Sequence, residues 1–208
     1  MRAPHRQFKF LERLPYLRKS ATSADNLVFN KFYSVEWRPL NFIQMHNSRE
    51  GPMSSDLYPV LGRVTSGIYI LTIGQGVRAT GMLASWVMQA GFEPPMITVA
   101  VRQGRYVAEW LAAGEPFVLN VVSDSQKDCL KHFGKGFEPG EPAFTGLEVH
   151  PADNGVTVLS EALGYLECEP TSHVDSGEHR IFLATITAGN MQHDASPMVH
   201  IRKTGMHY

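Results

Sequence analysis

Cysteine is scarce in this chain, and the two that occur, Cys129 and Cys168, are far apart. They form no Cys-x-x-Cys pair and have no paired histidines beside them, so the sequence indicates neither a zinc site nor a disulfide framework. Free thiols persist in a reducing compartment, and we therefore expect a cytoplasmic protein.

Strong net charge and long apolar runs are also missing. The formal net charge is -1, which supplies no broad positive field for nucleic acid, so nucleic acid is not an expected partner. No apolar run approaches the roughly 18 to 20 residues that cross a bilayer, and the start of the chain has no apolar signal core. We therefore expect a soluble protein without a membrane partner.

The composition that remains is that of one globular domain, with 43% hydrophobic and 19% charged residues in a chain of 208. Residues 1–20 are rich in arginine and lysine, with Glu12 as their single acid. This faintly resembles a transit peptide, but a solvated basic tail is the favoured interpretation. Residues 21–56 lack sustained periodicity. We expect an extension over 1–56, whose order the sequence leaves open, and a compact domain over 57–208.

Strand-like runs outnumber helical ones in that domain, because segments rich in Val, Ile, Thr and aromatics alternate with turn residues. Two short helices are predicted, over 105–113 and 125–135, each followed or closed by glycine. The two longest strands are predicted to form a hairpin around residues 175–178. Strands are predicted over 67–73, 95–101, 116–122, 163–174 and 180–189.

The glycine-rich stretch over residues 67–86 allows two interpretations. Its Gly-x-Gly-x-x-Ala pattern follows a strand, and apolar residues over 79–90 recur at helical spacing, as in a dinucleotide-binding turn. Such a turn needs an acid after the second strand to hold a ribose hydroxyl, whereas the chain has Arg102-Gln103-Gly104-Arg105 there. Gly81 would also weaken the helix. The spacing favours a strand-turn-strand hairpin and leaves the dinucleotide turn open.

A longer pattern bears on this choice, because from about Leu61 to Tyr208 the chain resembles the flavin reductase-like family of FMN-binding split barrels. The likeness is greatest to the C-terminal flavin reductase module of the flavodiiron proteins of oxygenic phototrophs. The segments that carry it are Leu61-Gly62-Arg63, Ser66 to Thr72, Met82 to Val87, Phe117 to Val121, Lys131-His132-Phe133, Ala162 to Cys168, Ser176 to His179, and Arg202-Lys203 with Gly205 and His207-Tyr208. The resemblance implies a mainly β fold, an antiparallel Greek-key split barrel with a few peripheral helices. It also implies that 67–86 is a hairpin and that the chain pairs as a homodimer, with FMN near the interface.

The resemblance also assigns candidate cofactor-binding residues. The segment Met82, Leu83, Ala84, Ser85 and Trp86 matches the one that passes along the flavin ring. Its backbone amides and the Ser85 hydroxyl are candidates for bonds to the ring edge or the ribityl chain. Trp86 is a candidate for ring stacking, or simply a buried or interface aromatic.

Three arginines are candidates for the FMN phosphate. Arg102 and Arg105 flank Gly104 after a predicted strand, where the family places its phosphate-holding loop, and guanidinium forks suit a phosphate dianion. Arg202 is the third candidate, and an exposed pair of charges is the alternative for the first two. Asn120 interrupts an apolar strand, so it either meets the flavin or ties a neighbouring loop.

His179 is the candidate catalytic residue, because it matches the histidine of the family's Gly-Asp-His motif. Gly177 opens this motif here, and Glu178 replaces the usual aspartate. A metal site is not expected, since His173 and the acids near it lie across a hairpin turn and do not obviously converge. No His-x-Glu-x-Asp run occurs, so a diiron core is not expected in this sequence.

The resemblance implies an NAD(P)H-dependent flavin reductase that passes hydride from NADH or NADPH to bound FMN. The electrons would then go to a diffusing flavin or to a flavodiiron-type partner. A non-catalytic FMN-binding relay or assembly module, docked through the basic extension, is an alternative. A dehydrogenase built on the glycine turn is a third.

Overall fold

The computed structural model describes residues 56–205, so the predicted extension over 1–56 falls almost wholly outside the described residues and stays a prediction. The helices are α1 (Leu57–Gly62), α2 (Tyr106–Ala112) and α3 (Lys127–Gly134), with a short 3-10 helix at Gly76–Arg78. The strands are β1 (Ser66–Gly67), β2 (Tyr69–Ile73), β3 (Thr80–Ala84), β4 (Val87–Phe92), β5 (Pro95–Arg102), β6 (Phe117–Val121), β7 (Val149–Pro151), β8 (Thr157–Leu159), β9 (Gly164–Ser176), β10 (His179–Met191) and β11 (Val199–His200).

A seven-stranded antiparallel sheet forms the main body, in the order β3-β2-β6-β9-β10-β5-β4. Sequence neighbours pair as hairpins, while β6 inserts beside β2 and β10 returns to pair with β5. β1 with β11 and β7 with β8 add two small sheets. The mainly β, antiparallel architecture predicted from the sequence is therefore confirmed. None of the helices in the described part of the chain has the length and hydropathy of a membrane span.

The glycine-rich stretch is a hairpin. β2 and β3 pair antiparallel from Tyr69 opposite Ala84 to Ile73 opposite Thr80. Gly74 and Gly76, at the turn between them, have φ of 77° and 57°, a region that residues with a Cβ rarely adopt. Residues 79–90 form β3 and β4 where the dinucleotide alternative needs a helix, so that alternative is wrong. The helical spacing of their apolar residues is coincidental.

The largest buried cluster joins residues of the main sheet to residues of α2. Leu71, Phe117 and Phe182 are almost fully buried there, and Val107 and Leu111 of α2 pack onto them. Predicted helix 105–113 corresponds to α2, and predicted helix 125–135 to α3. In both helices, the residues that flank the two ends stop the helix after about two helical turns.

α3 packs against β3 at a position where only glycine fits. A Cβ added at Gly81 would lie 2.7 Å from Cε1 of Phe133, which is itself 1% exposed. The Phe133 ring is held by other rings around it, with centroids of His132 and Phe137 at 4.7 Å and 5.9 Å. Gly81 therefore lets α3 approach the sheet closely.

The turn of the β9–β10 hairpin lies at the end of the sheet where Arg102 and His179 pair. Ser176 pairs with His179, so Gly177 and Glu178 form a two-residue turn, and Gly177 has the positive φ, 59°, that such turns need at their first position. The same register places His179 opposite Arg102 of β5. The hairpin predicted around residues 175–178 is confirmed by this pairing.

Candidate functional site

A pocket of about 660 Å³ opens where β3, β5 and the β9–β10 turn come together with the end of α3 and the segment after β11. This volume is within the range that small-molecule and cofactor sites occupy. The lining residues are Met82, Leu83, Ala84, Ser85, Trp86, Ala100, Arg102, Arg105, Phe133, Gly134, Glu178, His179, Arg202 and Gly205.

One wall of the pocket is mostly apolar and contains one polar atom without a partner. Met82, Ala84 and Phe133 are buried and present hydrocarbon to the cavity. Ser85 is only 5% exposed, and its Oγ is buried with no hydrogen-bond partner among residues 56–205. A buried hydroxyl left unsatisfied costs about 1–3 kcal/mol. A ligand that offers it a donor or acceptor recovers that free energy.

Two aromatic rings meet at the mouth of the pocket. The Trp86 and His179 ring centroids are 4.6 Å apart, with the planes tilted by 45°. The guanidinium carbon of Arg202 lies 5.5 Å from the centroid of the Trp86 ring, within the range of a cation–π contact. Trp86 therefore contacts both His179 and Arg202, which are distant from it in the sequence.

The surroundings of His179 favour its neutral imidazole form. It is 8% exposed, and burial is the main cause that lowers the pKa of His179 from its ordinary value. Arg102 and Arg105 lower the pKa further, while Glu178 acts in the opposite direction. The Glu178 carboxylate lies 3.8 Å from Nδ1 of His179, too far for a direct hydrogen bond.

The charged side chains of the pocket favour an anion. Three arginines line it, and Glu178 is the acid among the lining residues. Glu178 approaches Arg102 at 3.9 Å, but both side chains are mostly exposed, and such surface pairs contribute about 0–1 kcal/mol. Arg105 also lines an adjoining cavity of about 410 Å³ together with Lys135. A phosphate that lies between these cations gains charge-assisted hydrogen bonds.

This pocket lies within a segment that known proteins share. The family model described as flavin reductase like domain matches residues 61–206. The chain belongs to this family.

Curated relatives of this flavin reductase like chain include two cyanobacterial proteins. Putative diflavin flavoprotein A 3 of a Nostoc species is 40% identical over 158 residues, which is 75% of this chain and 28% of the relative. Diflavin flavoprotein A 1 of a Synechocystis species has the same identity and the same coverage of both chains. The chain therefore spans just over a quarter of the length of these relatives. The resemblance inferred from the sequence is confirmed.

Solved structures of similar fold include flavin reductases. An NADH:FAD oxidoreductase of Streptomyces globisporus has a TM-score of 0.64 at 22% identity, covering 69% of this chain and 85% of that one. The styrene monooxygenase flavin reductase of Pseudomonas putida has a TM-score of 0.59 at 23% identity, covering 69% and 90%. These likenesses confirm the fold. The family match supports flavin reduction in general.

A flavin fits the residues of this flavin reductase like domain on three observations. The apolar wall suits the face of an isoalloxazine ring, and the unpartnered Ser85 hydroxyl suits a polar edge or a ribityl oxygen. The arginines suit a terminal phosphate. No group of three or more His, Cys, Asp or Glu side chains in the described residues has the arrangement of a metal site.

The structure brings most of the predicted site residues together. The segment Met82 to Trp86 lines the pocket, as do His179 and the three arginines, while Gly177 lies beside it in the β9–β10 turn. Trp86 contacts His179 and remains partly exposed. Whether each of these residues contacts a flavin stays a prediction.

Asn120 departs from the expectation of a cofactor contact. It is fully buried and outside the pocket lining. Its Nδ2 donates to the Ile70 carbonyl oxygen at 3.1 Å and to Thr72 Oγ1 at 3.3 Å, and its Oδ1 accepts the Leu159 N–H at 2.8 Å. These contacts tie β8 to β2 and β6 of the main sheet, which is the second of the two roles expected for Asn120.

Phe133 and Gln103 were not identified as site residues from the sequence. Phe133 lines the pocket from α3, but a buried aromatic on a short helix carries no chemical signal that separates it from ordinary core. Gln103 does not line the pocket and acts through the turn beside it, as described below.

Proposed function

We propose that this chain is an NAD(P)H-dependent flavin reductase that binds FMN in the 660 Å³ pocket. The observation that carries the proposal is the meeting, in one pocket, of an apolar wall, an unpartnered buried hydroxyl, three arginines and a desolvated histidine. Each of these features matches one chemical requirement of a flavin nucleotide. The family match supports the same assignment.

In this proposal the protein's main task is to bind and orient. The arginines hold the phosphate, and Arg105 is best placed for it because it lines both the main pocket and the adjoining cavity. Ser85 bonds a polar atom of the ring edge or the ribityl chain, and the Met82 and Phe133 side chains exclude water from the ring face. When the nicotinamide and flavin rings are held in close, aligned contact, the barrier to hydride transfer between them is lower.

His179 is the proposed catalytic residue. A bound flavin supplies the hydride chemistry, since its N5 accepts hydride from the nicotinamide C4. The neutral imidazole of His179, packed on Trp86, has an N–H that can donate to an incoming nicotinamide amide or to a developing negative charge. Burial favours the neutral form, so the residue keeps one donor and one acceptor near neutral pH.

We further propose a homodimer, with the electrons passed to free flavin or to a diiron partner. The support for the partner is the similarity to diflavin flavoproteins, of which this chain spans just over a quarter, 28%.

The first test is an absorbance spectrum of the purified protein with FMN, and in parallel with FAD, followed by anaerobic addition of NADH and of NADPH. Loss of the oxidised-flavin band is expected with at least one dinucleotide. Bound flavin that neither dinucleotide bleaches would overturn the reductase and favour the relay module. Failure to bind either flavin would overturn both.

A second test addresses the arginines. Arg105→Gln is expected to weaken FMN binding about tenfold, because charge-assisted hydrogen bonds contribute about 1.5–3 kcal/mol and exposure reduces that value. Riboflavin, which lacks the phosphate, should bind the variant and the wild type equally. Arg78→Gln is the matched control, since Arg78 pairs with Glu115 at 2.8 Å outside the pocket. An equal loss of riboflavin affinity in Arg105→Gln would exclude the phosphate role.

A further inference from the structure

Gln103 joins the end of β5 to the β9–β10 turn through three hydrogen bonds. Its backbone N–H donates to the Glu178 carbonyl oxygen at 2.9 Å. Its side-chain Nε2 donates to the carbonyl oxygens of Gly177 at 3.3 Å and His179 at 3.2 Å. All three carbonyls of the turn segment 177–179 are therefore bonded to one residue.

These bonds fix the part of the backbone from which two pocket side chains project. Glu178 and His179 both line the pocket. The Gln103 contacts hold the peptide groups before and after Glu178 and the one that follows His179. A two-residue turn that contains glycine has few other restraints on its backbone. Without the side-chain bonds, the backbone bond from Gln103 to Glu178 and the ladder pairs of His179 with Ser176 and Arg102 would remain, and the Gly177 carbonyl would lose its bond to Gln103.

The His179 ring needs such support, because its position is defined by contacts to two other elements. The ring centroid lies 4.6 Å from that of Trp86, which follows β3, and the His179 backbone pairs with Arg102 of β5. A small rotation of the turn would move the imidazole away from Trp86 and toward water. Misplacement by about 1 Å can reduce a catalytic rate by up to about a hundredfold.

We propose that Gln103 is a positioning residue, which clamps the 177–179 turn so that His179 stays packed on Trp86 at the pocket. The expected effect of Gln103 on the reaction rate rests on the function proposed above. Its effect on the position of the His179 imidazole follows from the geometry alone. Gln103 is outside the pocket lining. It acts through His179.

Glutamine suits this task for a chemical reason. A primary amide carries two N–H donors on one nitrogen and can serve two carbonyls at once. Methionine has a similar length but no hydrogen-bond donor. The carboxylate oxygens of a glutamate would face the turn carbonyl oxygens, and both are acceptors. The Gln103→Met substitution therefore removes the two side-chain bonds while the backbone bond to Glu178 remains.

Gln75 provides a matched control. It is also an exposed glutamine that donates from its Nε2 to a turn carbonyl, that of Asn154, at 2.9 Å. It lies outside the pocket lining. Gln75→Met thus removes a bond of the same type from a turn that does not carry His179, and any general effect on stability should appear in both variants.

The experiment measures two quantities on the full chain of wild type, Gln103→Met and Gln75→Met. The first is the His179 titration by NMR, with its signal assigned by its loss in His179→Gln. The second is the rate of anaerobic bleaching of bound FMN at saturating NADH or NADPH. In Gln103→Met the pKa of His179 is expected to rise toward its ordinary value, because water reaches the ring and burial is the main cause of the lowering.

The bleaching rate in Gln103→Met is expected to fall roughly tenfold, with FMN affinity within twofold of wild type, because the arginines and Ser85 are unchanged. Gln75→Met should match wild type in both readouts. A His179 titration in Gln103→Met equal to that of the control would overturn the proposal, even if the rate fell. If the wild type bleaches no flavin, the proposed function fails, and the titration alone still decides whether Gln103 positions the imidazole.

Discussion

Replacing Asn120 by alanine separates the two roles that this residue was considered to have. In the structure the Asn120 amide is fully buried and makes three hydrogen bonds, to Ile70, Thr72 and Leu159. None of them points into the pocket. The substitution should therefore lower the free energy of unfolding and leave flavin affinity unchanged.

The magnitude follows from what alanine leaves behind. The Leu159 N–H loses its acceptor in a buried position, which costs about 1–3 kcal/mol. The Ile70 carbonyl loses one of its donors, and the removed amide leaves a small cavity. Together these effects predict a loss of about 2–4 kcal/mol.

The assay is urea unfolding of the flavin-free protein followed by circular dichroism, with FMN titration of the folded variant at low temperature. Asn190→Ala is the control, since Asn190 is exposed on β10 and such surface changes stay within about 0.5 kcal/mol. The reasoning would be refuted by an Asn120→Ala protein with wild-type stability and a tenfold weaker affinity for FMN. That result would return Asn120 to the cofactor site.

Three other changes test the pocket. Gly81→Ala should cost about 1–3 kcal/mol in urea unfolding, because its Cβ overlaps the Phe133 ring, and FMN binding should weaken as the wall moves. Ser85→Ala should weaken FMN binding up to about tenfold, while the flavin-free protein becomes no less stable, because a buried unpartnered hydroxyl is removed. The folded-state pKa of His179 lies below its unfolded value of 6.5. The unfolded state therefore binds the proton first as pH falls, and stability is lost from about pH 6.5 downward. His179→Gln should flatten that part of the pH–stability curve.

Each of these predictions has an outcome that contradicts it. A Gly81→Ala protein as stable as wild type would mean that α3 is not packed as closely as described. Ser85→Ala with unchanged FMN affinity would show that the hydroxyl faces no polar atom of the flavin. A pH–stability curve that His179→Gln leaves unaltered would show that this imidazole is not desolvated.

Much of the fold was predictable from local pattern. The five strand-like runs correspond to β2, β5, β6, β9 and β10, because continuous β-branched and aromatic segments between turn residues have few alternatives. The elements α1, β1, β4, β7, β8 and β11 were not identified. They are too short, or too mixed in composition, for periodicity to distinguish them from loops.

The candidate site was less predictable, and the reason is physical. The segment Met82 to Trp86 and His179 were identified through resemblance to a family, since a histidine at a hairpin end carries little information by itself. Asn120 could not be assigned, because the sequence shows that an amide interrupts an apolar strand but does not show which carbonyls it meets. The partners lie on β2 and β8, distant along the chain.

The sequence by itself determined the five long strand-like segments, the turn of the β9–β10 hairpin, and that the chain carries neither strong charge nor a long apolar run. These properties depend on neighbouring residues, through backbone preference and hydrophobic spacing. Only the tertiary structure decided that Arg202 lies over Trp86, that the Ser85 hydroxyl is buried without a partner among the described residues, and that Gln103 clamps the turn before His179. Those facts depend on which strands pair, and strand pairing joins residues that the sequence keeps far apart.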